Sequence, residues 1–312
     1  MTRILITEFM DEPAVDALRI SFDVAYDPAL VDNSVALHAA LADADALIVR
    51  NRTQVRGALL AAGTKLRVVG RLGVGLDNID VDACARRGIE VIPATGANAL
   101  AVAEYVIGTA MLLLRGAYHS THGVGAGKWP RGSLSNGREM AGKTLGLIGF
   151  GGIGRLTASL ARALAMRVVG CDAMLSPGDP VWSTSGVTVL SLNDVLAQSD
   201  VISLHVPLTA ETQNLIDANR LSIMKPDAIL INTARGGVVD EAALAAALRS
   251  GKLGGAALDV FTTEPLPGGS PLAEAPNLIL TPHIAGVTRE SNERVSSMIA
   301  DRVAHALTGR RA

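Results

Sequence analysis

The chain of 312 residues is poor in aromatic side chains, in cysteine and in net charge. Aromatic residues make up only 3% of it, so its cores must be filled by Ala, Val, Leu and Ile. Its two cysteines, Cys84 and Cys171, lie far apart without metal-ligand spacing, which predicts buried thiols in a reducing compartment. The formal net charge of −2 gives no overall attraction to nucleic acid or to an anionic membrane, and we expect neither as a partner.

Long hydrophobic runs are also missing. No apolar stretch reaches the roughly 20 residues that a bilayer-spanning helix needs. The most apolar helical segment, 99–118, is interrupted by Glu104, and we interpret it as a buried core helix. The first eight residues resemble a strand rather than the apolar core of a signal peptide, so a cytoplasmic location is expected. With 49% hydrophobic and 19% charged residues, the composition is typical of a soluble globular protein of about two domains.

Short apolar strands alternate with helical patterns along the chain, which predicts parallel α/β sheets. In the first part the predicted strands are 4–7, 24–25, 46–49, 67–70 and 90–92. In the second part they are 144–148, 166–171, 201–204, 228–232, 255–259 and 278–281. We expect one long helix, from residue 99 to about residue 121, to cross between the parts. The last helical pattern, 289–307, is expected to pack back onto the first part.

Residues 149–154, GFGGIG, form the most specific motif. They follow an apolar strand and open a helical pattern. In this setting the glycines permit a tight turn, a close approach of backbone to a pyrophosphate and close packing of helix on strand. The N–H groups and dipole of the helix then attract the phosphates. Asp172 ends the next strand, 18 residues after Gly154 (172 − 154), where a carboxylate can accept hydrogen bonds from the adenosine ribose. Because no arginine for a 2′-phosphate follows Asp172, the motif favours NAD over NADP.

The predicted fold is therefore α/β with two doubly wound parallel-sheet domains. A Rossmann cofactor domain, residues 99–286, is inserted in a flavodoxin-like substrate domain made of residues 1–98 and 287–312. A ligand is expected in the cleft at the carboxyl ends of the second domain's strands.

Several polar residues follow the predicted strands of the second domain, namely His205, Arg235, Asp259, Glu264 and His283. Each alone has an ordinary explanation, since a strand-end histidine is often structural and a lone charge in a loop is usually solvated. Together they supply a cation, a carboxylate and an imidazole beside a dinucleotide site. Hydride transfer to a keto acid needs this set. Arginine holds a carboxylate bidentately, an imidazole donates a proton to the oxygen, and a carboxylate orients the imidazole.

Longer motifs surround these residues. They are the stretches 203–208 (SLHVPL), 231–240 (INTARGGVVD) and 257–261 (ALDVF), with Glu264-Pro265 and Pro282-His283. Together with the glycine motif, residues 141–286 resemble the D-isomer-specific 2-hydroxyacid dehydrogenase family, and the resemblance extends to nearly the whole chain. It implies that Arg235 anchors the substrate carboxylate, that Glu264 partners the imidazole and that His283 is the acid/base.

The resemblance also implies cofactor and substrate contacts. The cofactor contacts are Val74, Gly149, Gly151, Gly152, Ile153, Gly154, Asp172, His205, Val206, Pro207, Thr233, Ala234, Asp259 and Gly286. The substrate contacts are Arg50, Asn51, Arg52, Arg71, Leu72, Gly73, Val74 and Arg235. In the glycine-rich stretch 70–80, the N–H groups of Gly73 and Val74 are expected to meet the substrate carboxylate. No metal is expected.

Arg50, Arg52 and Arg71 all lie at the ends of predicted strands in the first domain. Solvated surface stays open as an explanation for any one of them. As a cluster they predict a substrate with a second anionic group, since guanidinium suits phosphate and sulfonate alike. The loop 49–53 (VRNRT) resembles that of the 3-phosphoglycerate dehydrogenase branch, whereas 8–12, 49–53, 283–288 and 290–294 resemble (S)-3-sulfolactate dehydrogenases. The expected substrate is a D-configured 2-hydroxy acid, or its 2-keto acid, of the 3-sulfolactate or 3-phosphoglycerate type.

An alternative to an enzyme stays open at this point. Corepressor-type proteins that resemble these dehydrogenases keep the cofactor fold and the triad but act as NAD-sensing binding modules. The helix that begins at Ala99 is apolar on more than one face, which predicts a homodimer across the cofactor domains.

Overall fold

The computed structural model describes residues 1–309, and the chain divides into two compact units. The first unit comprises Met1–Asn98 and the segment from Val287 onward, and the second comprises Ala99–Gly286. Residues 310–312, the end of the predicted substrate domain, lie outside the described residues. Each unit is built on its own parallel sheet with helices on both faces, so the predicted fold class is confirmed.

The first unit contains a five-stranded sheet. Its strands are β1 (Arg3–Ile6), β2 (Asp23–Tyr26), β3 (Ala46–Val49), β4 (Val68–Arg71) and β5 (Glu90–Pro93). Their order is β2-β1-β3-β4-β5 with parallel pairing throughout, which is the flavodoxin-like arrangement. The helices are α1 (Glu12–Arg19), α2 (Ser34–Leu41), α3 (Gly57–Ala62), α4 (Val81–Arg86) and, at the end of the chain, α12 (Arg289–Thr308), and a short 3₁₀ turn covers Leu30–Asp32.

Helices cover both faces of this sheet. Side chains of α1 and α12 pack with Ile4, Ile48 and Val68 on one face, and those of α2, α3 and α4 pack with Leu47 and Val69 on the other. At Gly70 a Cβ atom would lie 2.8 Å from side-chain carbons of both Ile299 and Val303. Glycine at this position therefore lets α12 lie close against β4.

The second unit contains a seven-stranded parallel sheet. Its strands are β6 (Thr144–Ile148), β7 (Arg167–Cys171), β8 (Thr188–Val189), β9 (Val201–Leu204), β10 (Ile229–Asn232), β11 (Gly255–Leu258) and β12 (Leu278–Leu280). The helices are α5 (Ala99–Arg115), α6 (Thr121–Gly125), α7 (Gly152–Ala163), α8 (Pro180–Ser185), α9 (Leu192–Gln198), α10 (Ala218–Ile223) and α11 (Glu241–Arg249). The order β12-β11-β10-β9-β6-β7-β8 is that of a Rossmann sheet. From β6 the chain adds strands first toward one edge (β7, β8) and then toward the other (β9 to β12), so the order of strands reverses between β6 and β9. Ligands of such sheets bind outside the carboxyl ends of the strands at this reversal.

Helix α5 is shorter than the sequence predicts. It was expected to continue to about residue 121, but it ends at Arg115 because Gly116 adopts a left-handed conformation with φ 65°. A 3₁₀ turn at Ala117–Ser120 and the short helix α6 follow. Within residues 1–309 no single helix is long and apolar enough to cross a membrane. Helix α5 passes that test only when it is joined to residues 117–125 across a bend of 67°.

Candidate active site

The glycine motif lies at the reversal point of the second sheet, between β6 and α7. Gly149 has φ 94°, and a Cβ atom there would lie 2.4 Å from the carbonyl oxygen of His205, which follows β9. A Cβ atom at Gly154 would lie 2.6 Å from the carbonyl oxygen of Gly149. By contrast, a Cβ atom at Gly151 or Gly152 would meet nothing within 4 Å. The outer glycines therefore permit close packing, and the inner ones leave space in front of the helix.

The start of α7 has no capping side chain. Gly151 is its N-cap residue, so the first N–H groups of the helix receive no side-chain hydrogen bond from that position. Unpaired N–H groups and open space at a helix N-terminus suit a phosphate group. The motif therefore fits the pyrophosphate of a dinucleotide.

Asp172 lies directly beside this turn. Its Oδ2 accepts a hydrogen bond from the N–H of Phe150 at 2.7 Å, and its Oδ1 accepts one from the N–H of Met174 at 2.8 Å. Because a carboxylate oxygen can accept more than one hydrogen bond, both oxygens keep capacity for ribose hydroxyls. Burial, and then the charge of Asp172, raise the pKa of the neighbouring Cys171 thiol to about 11, so this thiol stays protonated.

His205 is a poor proton donor at neutral pH. Burial lowers its pKa to about 4, and its Nε2 is 3.0 Å from the Oγ of Ser203. A neutral imidazole in this position suits contact with a cofactor, as the resemblance implied. Thr233 offers a further polar group, since its Oγ1 is buried and has no hydrogen-bond partner among residues 1–309. A buried hydroxyl without a partner is costly unless a ligand satisfies it.

Glu264 and His283 are in direct contact. The Oε2 of Glu264 is 2.8 Å from the Nδ1 of His283, and its Oε1 accepts a hydrogen bond from the N–H of Phe261 at 3.0 Å. The carboxylate therefore fixes the orientation of the imidazole and leaves Nε2 for a substrate.

Arg235 lies on the neighbouring loop, which follows β10. A Cβ atom at Gly236 would lie 1.8 Å from the carbonyl oxygen of Phe261, so this loop packs against the one that leads to Glu264. The Nη1 of Arg235 donates to the carbonyl of Ala234 at 2.5 Å. The predicted cation, carboxylate and imidazole therefore all lie beyond the carboxyl ends of β10, β11 and β12.

A buried hydrogen-bond chain holds the loop of His283. Asp259 is only 1% exposed, and its carboxylate accepts from the N–H groups of Ile284 and Ala285 at 2.8 and 2.7 Å. It also accepts from the Oγ1 of Thr281 at 2.6 Å, and that oxygen lies 2.6 Å from the hydroxyl of Tyr105. Asp259, a predicted cofactor contact, therefore uses its carboxylate within the protein. The sequence did not reveal Tyr105 or Thr281, since neither belongs to a motif with a chemical signature.

The three arginines of the first unit that were predicted to contact the substrate have different surroundings. Arg50 is half-buried, and its Nη2 donates to the Oδ1 of Asn292 at 2.6 Å. Arg52 is exposed and forms an ion pair with Asp32. The side chain of Arg71 folds over Gly73, since a Cβ atom there would lie 1.8 Å from its Nη1.

The other predicted substrate contacts lie beside these arginines. The N–H of Gly73 donates to the carbonyl of Arg71 at 2.8 Å, so a substrate carboxylate would compete with that bond. Leu72 is buried, and its carbonyl accepts from the Nη1 of Arg71 at 2.9 Å. Within residues 1–309 no group of three or more His, Cys, Asp or Glu side chains could hold a metal ion.

A Rossmann sheet with an open glycine turn, an acid beside that turn and a histidine–glutamate pair defines the class of nicotinamide-dependent dehydrogenases. Comparisons with known proteins agree. Residues 107–285 match the family model of the D-isomer specific 2-hydroxyacid dehydrogenase, NAD binding domain. The chain is 53% identical over 307 residues to the (S)-sulfolactate dehydrogenase of Chromohalobacter salexigens, which covers 98% of this chain and 99% of that protein.

Another curated relative and two solved structures are also similar to the chain. The D-3-phosphoglycerate dehydrogenase of Mycobacterium leprae is 40% identical over 98% of this chain, which spans only 57% of that protein. Among solved structures, the TT0316 protein of Thermus thermophilus has a TM-score of 0.90 at 35% identity, covering 99% of this chain and 98% of that one. The D-lactate dehydrogenase of Aquifex aeolicus, complexed with NAD and lactic acid, has a TM-score of 0.82 at 31% identity, covering 98% and 96%.

The chain therefore belongs to the D-isomer specific 2-hydroxyacid dehydrogenase family. It is an NAD-dependent enzyme of that type, and the predicted reaction class and cofactor are confirmed. The alternative of an NAD-sensing module without turnover finds no support among these relatives.

Proposed function

We propose that the protein interconverts (S)-3-sulfolactate and its 2-keto acid, 3-sulfopyruvate, with NAD as the hydride carrier. The likeness to a sulfolactate dehydrogenase supports this substrate. The (S) label agrees with a D-specific site, because the sulfur-bearing substituent outranks the carboxylate in the naming rules.

The observation that carries the proposal is the environment of Arg50. Its guanidinium is half-buried and lies 5.7 Å from the ring centroid of Phe9. Burial lowers the pKa of Arg50, and no Asp or Glu side chain among residues 1–309 forms an ion pair with it. A half-buried guanidinium with no carboxylate at ion-pair distance is a suitable site for a sulfonate or phosphate, which arginine binds through paired hydrogen bonds.

Each residue predicted to act in catalysis or to contact the substrate has a role in this proposal. Arg235 holds the substrate carboxylate, and His283 passes a proton to or from the oxygen on C2 while Glu264 keeps its ring in place. The cofactor would supply the hydride to C2 of the keto acid as NADH, or accept it from C2 of the hydroxy acid as NAD. The contacts proposed for the rest of the substrate are Arg50, Asn51, Arg52, Arg71, Leu72, Gly73 and Val74.

A substrate panel tests the proposal. The kcat/KM values for 3-sulfolactate, 3-phosphoglycerate, glycerate and lactate should be highest for 3-sulfolactate, by about 10-fold or more over the two acids with one anionic group. Equal values for all four would contradict a requirement for a second anion. A maximum for 3-phosphoglycerate would transfer the proposal to that substrate, which the relatives with 37–43% identity favour.

Two variants test the chemistry. His283→Ala should lower kcat by about 10²- to 10⁴-fold, because the proton donor is lost, while NADH still binds in a fluorescence titration. Arg235→Ala should lower kcat and raise KM together, because it contacts the substrate in both the ground state and the transition state. A His283→Ala variant with near-normal turnover would exclude the proposed acid/base.

We further propose a homodimer that acts in the cytoplasm. Large apolar side chains are exposed repeatedly in and after α5, namely Leu100, Met111, Tyr118, Val124 and Trp129. Such a concentration is typical of a subunit interface. Light scattering should give twice the chain mass of 32.2 kDa, and a value equal to the chain mass would contradict the dimer.

A further inference from the structure

The loop that carries Arg50 and Arg52 closes around one buried carboxylate. Glu8, which follows β1, is 4% exposed. Its Oε1 accepts from the N–H groups of Arg50 at 2.9 Å and Thr53 at 3.0 Å. Its Oε2 accepts from those of Asn51 at 3.2 Å and Arg52 at 3.0 Å. One side chain therefore satisfies four consecutive backbone donors.

Three further polar contacts hold this loop. Asn78 is 5% exposed, and its Nδ2 donates to the carbonyl of Thr53 at 2.8 Å and to that of Arg50 at 3.3 Å. The hydroxyls of Thr53 and Thr7 are 2.9 Å apart. Because its four amides and two of its carbonyls are held by the buried side chains of Glu8 and Asn78, the backbone of the loop is fixed from outside the loop.

The carboxyl group of Glu8 is ionised at neutral pH. Burial alone raises its pKa, but the hydrogen bonds from the backbone of Thr53, Arg52 and Arg50 outweigh burial and bring the pKa below its ordinary value. The negative charge also favours the charged form of Arg50, which burial opposes. The same carboxylate therefore holds the backbone of the loop and stabilises the half-buried guanidinium of Arg50.

We infer that Glu8 is a positioning residue for recognition of the second anionic group of the substrate. It fixes residues 50–53 so that the guanidinium of Arg50 lies between Phe9 and Asn292, where a sulfonate can bind. Glu8 is enclosed behind the loop, so it acts through the loop and not by contact with the substrate. This inference rests on the proposed function, and it gives Glu8 no part in hydride transfer.

The substitution Glu8→Gln tests the inference. It keeps the volume, removes the charge and replaces one acceptor oxygen by an amide that cannot accept, so two of the four N–H groups lose their partner. The kcat/KM for 3-sulfolactate should fall about 10- to 100-fold, mainly through KM, because loss of a buried acceptor costs that much in an equilibrium. The kcat/KM for lactate, which has one anionic group, should change less than about threefold, and NADH affinity should stay the same.

Two further variants keep the test decisive. Asp45→Asn is the matched control, because the Asp45 carboxylate also accepts a backbone hydrogen bond, from Arg3 at 2.8 Å, but at the other end of β3. It should leave the ratio of the two kcat/KM values unchanged. Glu8→Asp keeps the charge with a shorter reach, so it should give an intermediate ratio, and it replaces Glu8→Gln if that variant fails to fold.

The outcomes separate the inference from the proposed function. If the wild-type enzyme has equal kcat/KM values for lactate and 3-sulfolactate, the proposed function fails and the inference with it. If the wild type prefers 3-sulfolactate and the Glu8 variants lower kcat/KM for both acids equally, or for neither, the inference alone is overturned.

Discussion

The two kinds of glycine in the motif should respond differently to alanine. Gly152 and Gly154 both lie in the first turn of α7, so the gain in helix propensity is similar for the two substitutions. A Cβ atom at Gly152 meets nothing within 4 Å, whereas one at Gly154 would lie 2.6 Å from the backbone oxygen of Gly149. Overpacking against a rigid group costs about 1–3 kcal/mol, so Gly154→Ala should be less stable than Gly152→Ala by about that amount.

Gly152→Ala, the variant expected to keep its stability, should lose cofactor affinity. The new methyl group would occupy the space left for the pyrophosphate, and a steric cost of about 1–3 kcal/mol corresponds to a rise of roughly 5- to 150-fold in the Kd for NADH. This variant should therefore lose NADH affinity without losing stability.

Tryptophan fluorescence of the whole protein reports on the second unit. Both tryptophans of the chain lie there, and Trp182 is stacked on Phe150 within the motif with ring centroids 4.4 Å apart. Urea unfolding followed by tryptophan fluorescence gives the stability, and titration with NADH gives Kd. If Gly152→Ala binds NADH like the wild type, the open space in front of α7 is not the pyrophosphate site. If Gly152→Ala is as unstable as Gly154→Ala, the proposed difference in packing between the two glycines is wrong.

Three further predictions concern single side chains of the second unit. Asp172→Ala should weaken NAD binding and reduce the preference for NAD over NADP, measured as the ratio of the two Kd values, because the ribose hydroxyls lose their acceptor. Between pH 6.5 and pH 4 the wild type loses unfolding free energy, and His205→Gln should lose about 1–3 kcal/mol less. Burial holds the folded-state pKa of His205 at about 4, so the unfolded chain takes up a proton first as the pH falls, and urea unfolding at pH 7 and 4.5 measures the difference. Tyr105→Phe should lower kcat about fivefold at unchanged NADH affinity, because loss of one hydrogen bond to Thr281, worth roughly 1 kcal/mol, loosens the loop of His283.

The sequence predicts secondary structure best where burial imposes a simple pattern. The buried strands β3, β6 and β9 have the predicted ends. Helix α7 begins at Gly152, so the last glycines of the motif belong to its first turn and not only to the turn before it. Helix α5 was predicted too long because the apolar pattern continues past Gly116, and a single glycine in such a pattern does not by itself mark a helix end. Strand β8 has two residues, too few to show a period.

The candidate site is predictable to the extent that its residues lie in motifs. Glu264 and His283 follow neighbouring strands, and the structure brings them into contact. The supporting residues are different. Tyr105 and Thr281 are 176 residues apart, and Glu8 is 42 residues from Arg50. Such pairs are set by which strands become neighbours and by the register between them, and a single sequence contains neither.

Three acids that follow strands share one structural task. Glu8 follows β1 and accepts from the loop after β3, Asp172 follows β7 and accepts from the turn after β6, and Asp259 follows β11 and accepts from the loop after β12. In each case the two strands are parallel neighbours. Where adjacent parallel strands end together, the next N–H groups have no strand partner, and a carboxylate from the neighbouring strand end can satisfy several of them.

An acid at the end of a parallel strand therefore has two possible roles, and the hydrogen bonds that its carboxylate accepts within the protein, from backbone and side chains together, distinguish them. Glu8 accepts from four N–H groups, and Asp259 accepts from two and from a hydroxyl, so little capacity remains for other groups. Glu264 accepts from one N–H group and directs its other oxygen to His283. On this argument Glu264 contributes to the chemistry through the imidazole, while Glu8 and Asp259 hold the loops on which the reacting groups depend.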